Sequence, residues 1–338
     1  MRRGAWFAIV MALGLGGCAT PLVQPRMESM NPPRIEATRV IAADGAVLPL
    51  SAWPPAQGCR AVVLALHGFN DYRRAFESVG PFLAERGIAV YAYDQRGFGA
   101  APRPGIWPGS TQLVGDVAMV ASLLRARHPG CPLYLLGESM GGAVALSALA
   151  ETAIADGAVL VAPAVWGRSV MNPLPRAALW LAAHTWPGLR LSGQGLGIIA
   201  SDNEPMLRAL HEDPLVIKET RVDALWGLSN LMDRAFASAP RPGVPILMLY
   251  GARDEIIPRR PTCRFLATAG DDVRFVLYPA GYHMLTRDLG AAEVLADIAA
   301  WLADADAHLP SGYDTDGRHR LCGTHRGGVP HRVSGQLR

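Results

Sequence analysis

Three residues have the types and surroundings for nucleophilic acyl transfer. Ser139 stands in Gly137-Glu138-Ser139-Met140-Gly141-Gly142, after the apolar run PLYLLGE at 132–138 and before the small-residue stretch AVALSALA. A serine hydroxyl is a poor nucleophile until a base takes its proton. Here the glycines permit a strained turn from strand to helix, which lifts the hydroxyl above the sheet edge at a helix N-terminus. Developing negative charge is favoured there. An elbow of this kind calls for an acid and then a histidine later in the chain, each on a loop after a strand. Asp254, in LMLYGARDEI, and His283, in YPAGYHML, meet that requirement. Glu255 is expected to point elsewhere, and Asp271 and Asp272 precede the last strand, at its opposite end. Two N–H donors must hold the oxyanion. Met140, next to the nucleophile, supplies one, and Phe69, in His67-Gly68-Phe69-Asn70, supplies the other. His67 is expected to shape that loop by side-chain hydrogen bonds and Gly68 by tolerating unusual backbone angles. This chemistry needs no cofactor, and cysteine spacing indicates no metal site.

Positioning these groups requires a sheet. Apolar runs at 60–67, 88–94, 132–138, 157–163, 244–251 and 273–279 read as strands covered on both faces. Residues 35–51 add two earlier, antiparallel strands. Helical patterns lie near 73–86, 112–128, 140–154 and 288–303, giving a doubly wound α/β sheet. Asp94 and Arg96, in DQRGFG, are expected to bind the scaffold. That segment lacks GxGxxG and opens no helix, so it is no dinucleotide site.

The alternation stops between 164 and 240, a tryptophan-rich and largely helical stretch with no clear sheet strand. It reads as a cap inserted between core segments 35–163 and 241–304, over the sheet edge where open α/β folds bind ligands. Its apolar residues Trp166, Trp180, Trp186, Trp226, Leu228, Met232 and Phe236 are candidate pocket walls. Residues 305–338 lack hydrophobic periodicity and read as a loose tail.

At the N-terminus Arg2 and Arg3 precede the apolar run 5–15, too short to span a bilayer. Leu15-Gly16-Gly17-Cys18 resembles a bacterial lipobox, which implies a signal peptide at 1–17, lipid attachment at Cys18 and a tether at 18–34. Thr20 after the cysteine then implies the outer membrane, facing the periplasm of a bacterial envelope. The plainer reading is an ordinary signal peptide with an incidental cysteine, or an uncleaved anchor.

The 338 residues carry 32 basic and 29 acidic groups for a net charge of +3, and 50% are hydrophobic, which excludes a disordered chain. All the basic residues but Lys218 are arginines, and no basic stripe interleaved with aromatics points to nucleic acid. An exported chain can form disulfides, and Cys59, Cys131, Cys263 and Cys322 permit three pairings.

HGFN, DQRGFG, GESMGG, GARDEIIP and GYHML, in that order, resemble the α/β-hydrolase superfamily over residues 35–303. Similarity is greatest to its monoacylglycerol lipase and lysophospholipase branch, grouped with serine-aminopeptidase-like hydrolases. HEDPLV at 211–216 resembles a cap segment of that branch. The resemblance implies a mostly parallel eight-stranded sheet flanked by helices, with an inserted helical cap. Ser139 falls on the nucleophile, Asp254 on the acid, His283 on the base, and Phe69 and Met140 on the oxyanion amides. It also implies disulfides Cys59–Cys131, at one end of neighbouring strands, and Cys263–Cys322, tying the tail to the body. The expected activity is hydrolysis of lipid-like carboxylic esters, monoacylglycerols or lysophospholipids, by a membrane-anchored enzyme with a monomer favoured. Rival readings are a peptidase, for which Glu204, Glu212 or Asp213 would anchor the substrate amine, a thioesterase, and a non-catalytic lipoprotein scaffold.

Overall fold

The computed structural model describes residues 19–25, 28, 31–238, 243–270 and 273–323. The leader expected at 1–17, the lipid-attachment candidate Cys18, Asp271 and Asp272, and residues 324–338 lie outside these.

Eleven strands form among the described residues. They are β1 (Arg34–Ile35), β2 (Arg39–Ile41), β3 (Val47–Trp53), β4 (Ala61–Leu66), β5 (Ile88–Tyr93), β6 (Leu133–Glu138), β7 (Gly157–Val161), β8 (Arg190–Ser192), β9 (Glu219–Arg221), β10 (Ile246–Gly251) and β11 (Val273–Tyr278). Nine of them build one sheet in the order β1-β2-β3-β5-β4-β6-β7-β10-β11. From β5 to β11 all pairings are parallel, and β1, β2 and β3 are antiparallel. The ninth strand beyond the expected eight is the two-residue β1. Every residue of β4, β5 and β10 is buried, as the unbroken apolar runs required. Each such Val or Leu contributes about 1.5–3 kcal/mol relative to exposure. Cys59 is paired with Cys131 just ahead of β4 and β6, with Cα atoms 6.3 Å apart.

The helices are α1 (Val79–Ala84), α2 (Ser110–Arg127), α3 (Met140–Glu151), α4 (Pro173–Thr185), α5 (Glu204–Glu212), α6 (Val222–Ala237), α7 (Arg259–Ala269), α8 (Ala291–Ala303) and α9 (Gly317–Cys322). Between β7 and β10 the chain leaves the sheet and forms α4, α5 and α6. The sequence reading found no strand in this insertion, yet β8 and β9 pair antiparallel within it. Three residues are too few for alternation to register. Helix α6 packs on the core through Gly227, where a Cβ would collide with the indole of Trp107.

Residues 305–323 depart from the loose-tail expectation. Leu309 and Leu321 are buried. Tyr313 sits edge-on to Tyr278 at 5.8 Å, and its carbonyl accepts the Leu277 N–H of the edge strand β11. Arg274 pairs with Asp314 at 2.7 Å, and Cys263 of α7 is joined to Cys322 of α9 with Cα atoms 5.4 Å apart. The anchors are spaced too widely to give a periodic pattern. Covering β11 also removes an open sheet edge.

Candidate active site

Ser139 follows β6 directly and has φ 52° and ψ −112°, a left-handed conformation that costs a non-glycine residue about 1–3 kcal/mol. The surroundings enforce it. Its N–H donates to Val161 O (2.9 Å), and its carbonyl accepts from Ala143 (3.2 Å) and Ala164 (2.9 Å). A Cβ on Gly141 would collide with the Leu66 carbonyl, so only glycine lets α3 start this close to β4. The Ser139 side chain makes no capping bond to α3, which leaves its hydroxyl for chemistry.

Asp254 lies three residues past β10, and His283 five past β11. His283 Nδ1 donates to Asp254 Oδ2 at 2.8 Å, both side chains being almost fully buried. Asp254 Oδ1 accepts the N–H groups of Ile256 (2.8 Å) and Ile257 (2.9 Å), which fixes the carboxylate. The His283 and Met284 N–H groups both donate to Ala200 O at 3.1 Å, so the insertion holds the histidine loop. Glu255 turns away and accepts the Ile199 N–H at 2.8 Å. Since β6, β10 and β11 are parallel, the loops after them share one rim of the sheet.

The loop after β4 abuts the elbow: a Cβ built on Gly68 would sit 3.6 Å from the Ser139 Cβ. The left-handed residue of this loop is Asn70 (φ 65°) and not Gly68 as expected. Asparagine tolerates that region, and its amide donates to Thr220 Oγ1 at 2.6 Å. His67 does shape the loop. Its Nδ1 donates to Gly68 O (2.8 Å) and its Nε2 accepts the Gln95 N–H (2.9 Å). Burial pushes the His67 imidazole below its ordinary pKa, against the opposing pull of the Gly68 bond, so it stays neutral. Phe69 is half-buried and meets Phe98 edge-on at 5.5 Å. Met140 is fully buried and is the first residue of α3. Asp94 and Arg96 bind the scaffold, Asp94 to Arg73 and Arg96 to Asp44 and Asp116, each at 2.7 Å.

One group escaped sequence reasoning. Arg287, four residues past His283, donates through Nη2 to Glu138 Oε1 (2.5 Å) and through Nη1 to Asp71 Oδ2 (2.8 Å). Glu138 precedes the elbow serine, and Asp71 lies two residues after Phe69. A single guanidinium therefore joins the elbow, the histidine loop and the loop after β4. The available signal was three charged residues, each within four positions of a candidate site residue. Arg287→Met leaves two buried carboxylates facing no cation and destabilises the fold by about 3–5 kcal/mol. A denaturant-melting midpoint measured against the parent checks this.

Of the candidate pocket walls, Trp180 and Trp186 are exposed, because they sit on a face of the insertion away from the core. Trp166, Leu228 and Phe236 are partly buried against it, and Met232 is buried.

A profile of the family described as serine aminopeptidase, S33, matches residues 57–290. The chain belongs to that family. Among S33-like relatives, mouse monoglyceride lipase is 25% identical over 299 residues, covering 85% of this chain and 97% of its own. The monoacylglycerol lipase of Mycolicibacterium smegmatis is 27% identical over 258 residues, covering 74% and 90%. In fold, the chain resembles a soluble variant of the Saccharomyces cerevisiae monoglyceride lipase solved with a substrate analog. That match has a TM-score of 0.68 and 20% identity, and covers 83% of this chain and 98% of the other. These comparisons show an S33-family α/β-hydrolase whose relatives include monoglyceride and monoacylglycerol lipases.

Proposed function

We propose that this protein is a serine hydrolase that cleaves carboxylic esters of lipid-like substrates, monoacylglycerols foremost, by a Ser139-His283-Asp254 triad. The reading is carried by the His283–Asp254 bond on the same rim as a strained serine whose hydroxyl caps nothing. His283 takes the Ser139 proton as the hydroxyl attacks the ester carbonyl. Asp254 holds the imidazole with its proton on Nδ1 and stabilises the imidazolium. The amides of Phe69 and Met140 receive the oxyanion. His283 then protonates the leaving alcohol, and water repeats the cycle on the acyl-enzyme.

The substrate assignment draws on the names of the relatives and on apolar residues of the loop after β4 and of the insertion. Phe69, Trp166, Leu228 and Phe236 offer walls for an acyl chain. The peptidase reading needs a carboxylate for the substrate amine, and its three candidates are poorly suited. Asp213 accepts the Tyr72 hydroxyl at 2.6 Å and pairs with Arg74. Glu212 and Glu204 are exposed, and Glu204 pairs within its own helix with Arg208. A panel of monoacylglycerols, p-nitrophenyl esters, acyl thioesters and aminoacyl amides gives highest kcat/KM on monoacylglycerols. Preference for aminoacyl amides rejects the reading.

Lipid attachment at Cys18 and residence at the outer membrane complete the proposal. Their support is the lipobox-like Leu15-Gly16-Gly17-Cys18 after a short apolar run.

A further inference from the structure

The histidine loop carries a buried acid that the triad does not use. Asp288 is buried and forms no ion pair among the described residues. Burial pushes its carboxyl above the ordinary pKa, against the opposing pull of two hydrogen bonds. A buried carboxyl without a cation persists only where its oxygens are hydrogen-bonded. Here Oδ2 accepts the Tyr282 N–H at 2.8 Å, and Oδ1 accepts the Ser201 hydroxyl at 2.6 Å.

Those two partners bracket His283. Tyr282 precedes it in the loop. Ser201 follows Ala200, whose carbonyl takes the N–H groups of His283 and Met284, each at 3.1 Å. Three consecutive N–H groups, 282 to 284, therefore end on two acceptors, and the Ser201 hydroxyl ties one acceptor to the other. Ser201 Oγ also accepts the Asn203 N–H at 3.2 Å, which leaves its proton for Asp288.

The next residues of the insertion extend the grip. Asp202 Oδ1 accepts the Leu289 N–H at 2.8 Å. Asn203 caps α5 by accepting the Met206 N–H at 3.2 Å, and its Nδ2 donates to Arg287 O at 2.8 Å. The core holds the loop at its flanks, where the Arg253 N–H donates to Gly281 O (2.9 Å) and Arg287 reaches Glu138 and Asp71.

We propose that Asp288 is a positioning residue for His283, and that Ser201 makes the insertion part of the device. The carboxylate holds the backbone at 282 and, through Ser201, the carbonyl that holds 283 and 284. The imidazole then keeps Nδ1 on Asp254 and Nε2 towards Ser139 while the insertion is seated on the loop. A shift of the insertion moves the base, so ester turnover depends on how the insertion sits. Asp288 transfers no proton and touches no substrate. The inference rests on the proposed triad.

Kinetics on a water-soluble p-nitrophenyl ester and NMR of the His283 Nδ1 proton test this together, both well below each variant's melting midpoint. A contact that only stabilises the fold leaves both at parent values there. Asp288→Ala removes both bonds and should lower kcat by about 10–100-fold with KM near that of the parent. Asp288→Asn should recover most of the loss, its oxygen taking the Tyr282 N–H and its NH₂ donating to Ser201 Oγ. Ser201→Ala cuts the tie alone and should cost about 3–10-fold. Added to Asp288→Ala it should cost nothing more, because both changes break one link. The Nδ1 proton, at low field while it bridges to Asp254, should exchange faster with water in both alanine variants and at the parent rate in Asp288→Asn. Absence of ester turnover in the parent is a failure of the triad reading, and the proton still reports on positioning. Folded Ser201→Ala and Asp288→Ala with parent kcat and parent proton exchange overturn the proposal. If Asp288→Ala does not fold, Ser201→Ala at parent values overturns it alone. A double variant whose loss is the product of the two single losses also overturns it.

Discussion

Ser139→Ala lowers ester turnover by about 10⁴–10⁶-fold and leaves the fold intact. The size follows from what is removed. Without the hydroxyl no acyl-enzyme forms, and the residual rate comes from binding and from the amides proposed as the oxyanion hole, those of Phe69 and Met140, acting on water. Stability holds because the side chain caps nothing and the backbone bonds of residue 139, to Val161, Ala143 and Ala164, survive the change. Alanine carries the same left-handed strain as serine at φ 52°. A melting midpoint equivalent within about 0.5 kcal/mol of the parent accompanies the loss of turnover. Steady-state kinetics on a monoacylglycerol, with thermal melting of the same samples, reads both.

Asp254→Asn lowers kcat by about 10⁴-fold through the tautomer of His283. The two oxygens of Asp254 have unlike partners. Oδ1 accepts two backbone N–H groups, from Ile256 and Ile257, and Oδ2 faces His283 Nδ1. An asparagine must keep its one oxygen towards the two backbone donors, so its NH₂ turns to the imidazole. The NH₂ then donates to Nδ1 and forces the ring proton onto Nε2. A protonated Nε2 cannot take a proton from Ser139. The carboxamide is isosteric with the carboxylate, so the loss falls on kcat with KM near that of the parent. The ring-nitrogen resonances of His283 in an NMR spectrum should show the proton moved from Nδ1 to Nε2.

The legible part of the site is the part written in contiguous residues. The elbow could be read because glycine, serine and glycine must be neighbours for the turn to close, and the preceding strand shows as an apolar run. Asp254 and His283 could be read because strand ends mark their loops. The Arg287 bridge could not, since Glu138 and Asp71 lie about 150 and 216 residues away in sequence. Residues 19–24, read as part of a tether, are bonded to the body instead, and this was illegible because the acceptors are scattered along the chain: the carbonyls of His184, Trp107 and Ile106 and the Asp223 carboxylate. Strands β8 and β9 are too short for periodicity. The packed segment 305–323 rests on a few separated anchors, Leu309, Tyr313 and Leu321, which a window average dilutes. The left-handed position at Asn70 was assigned to Gly68, two residues earlier, because glycine is the commoner occupant.

The most direct measurement is peptide mass mapping after brief treatment with a fluorophosphonate, which phosphonylates an activated serine far faster than an ordinary one. A single covalent adduct on the peptide holding Ser139, abolished in His283→Ala, is the predicted outcome. Folded protein with no adduct, or with the adduct on another serine, contradicts it.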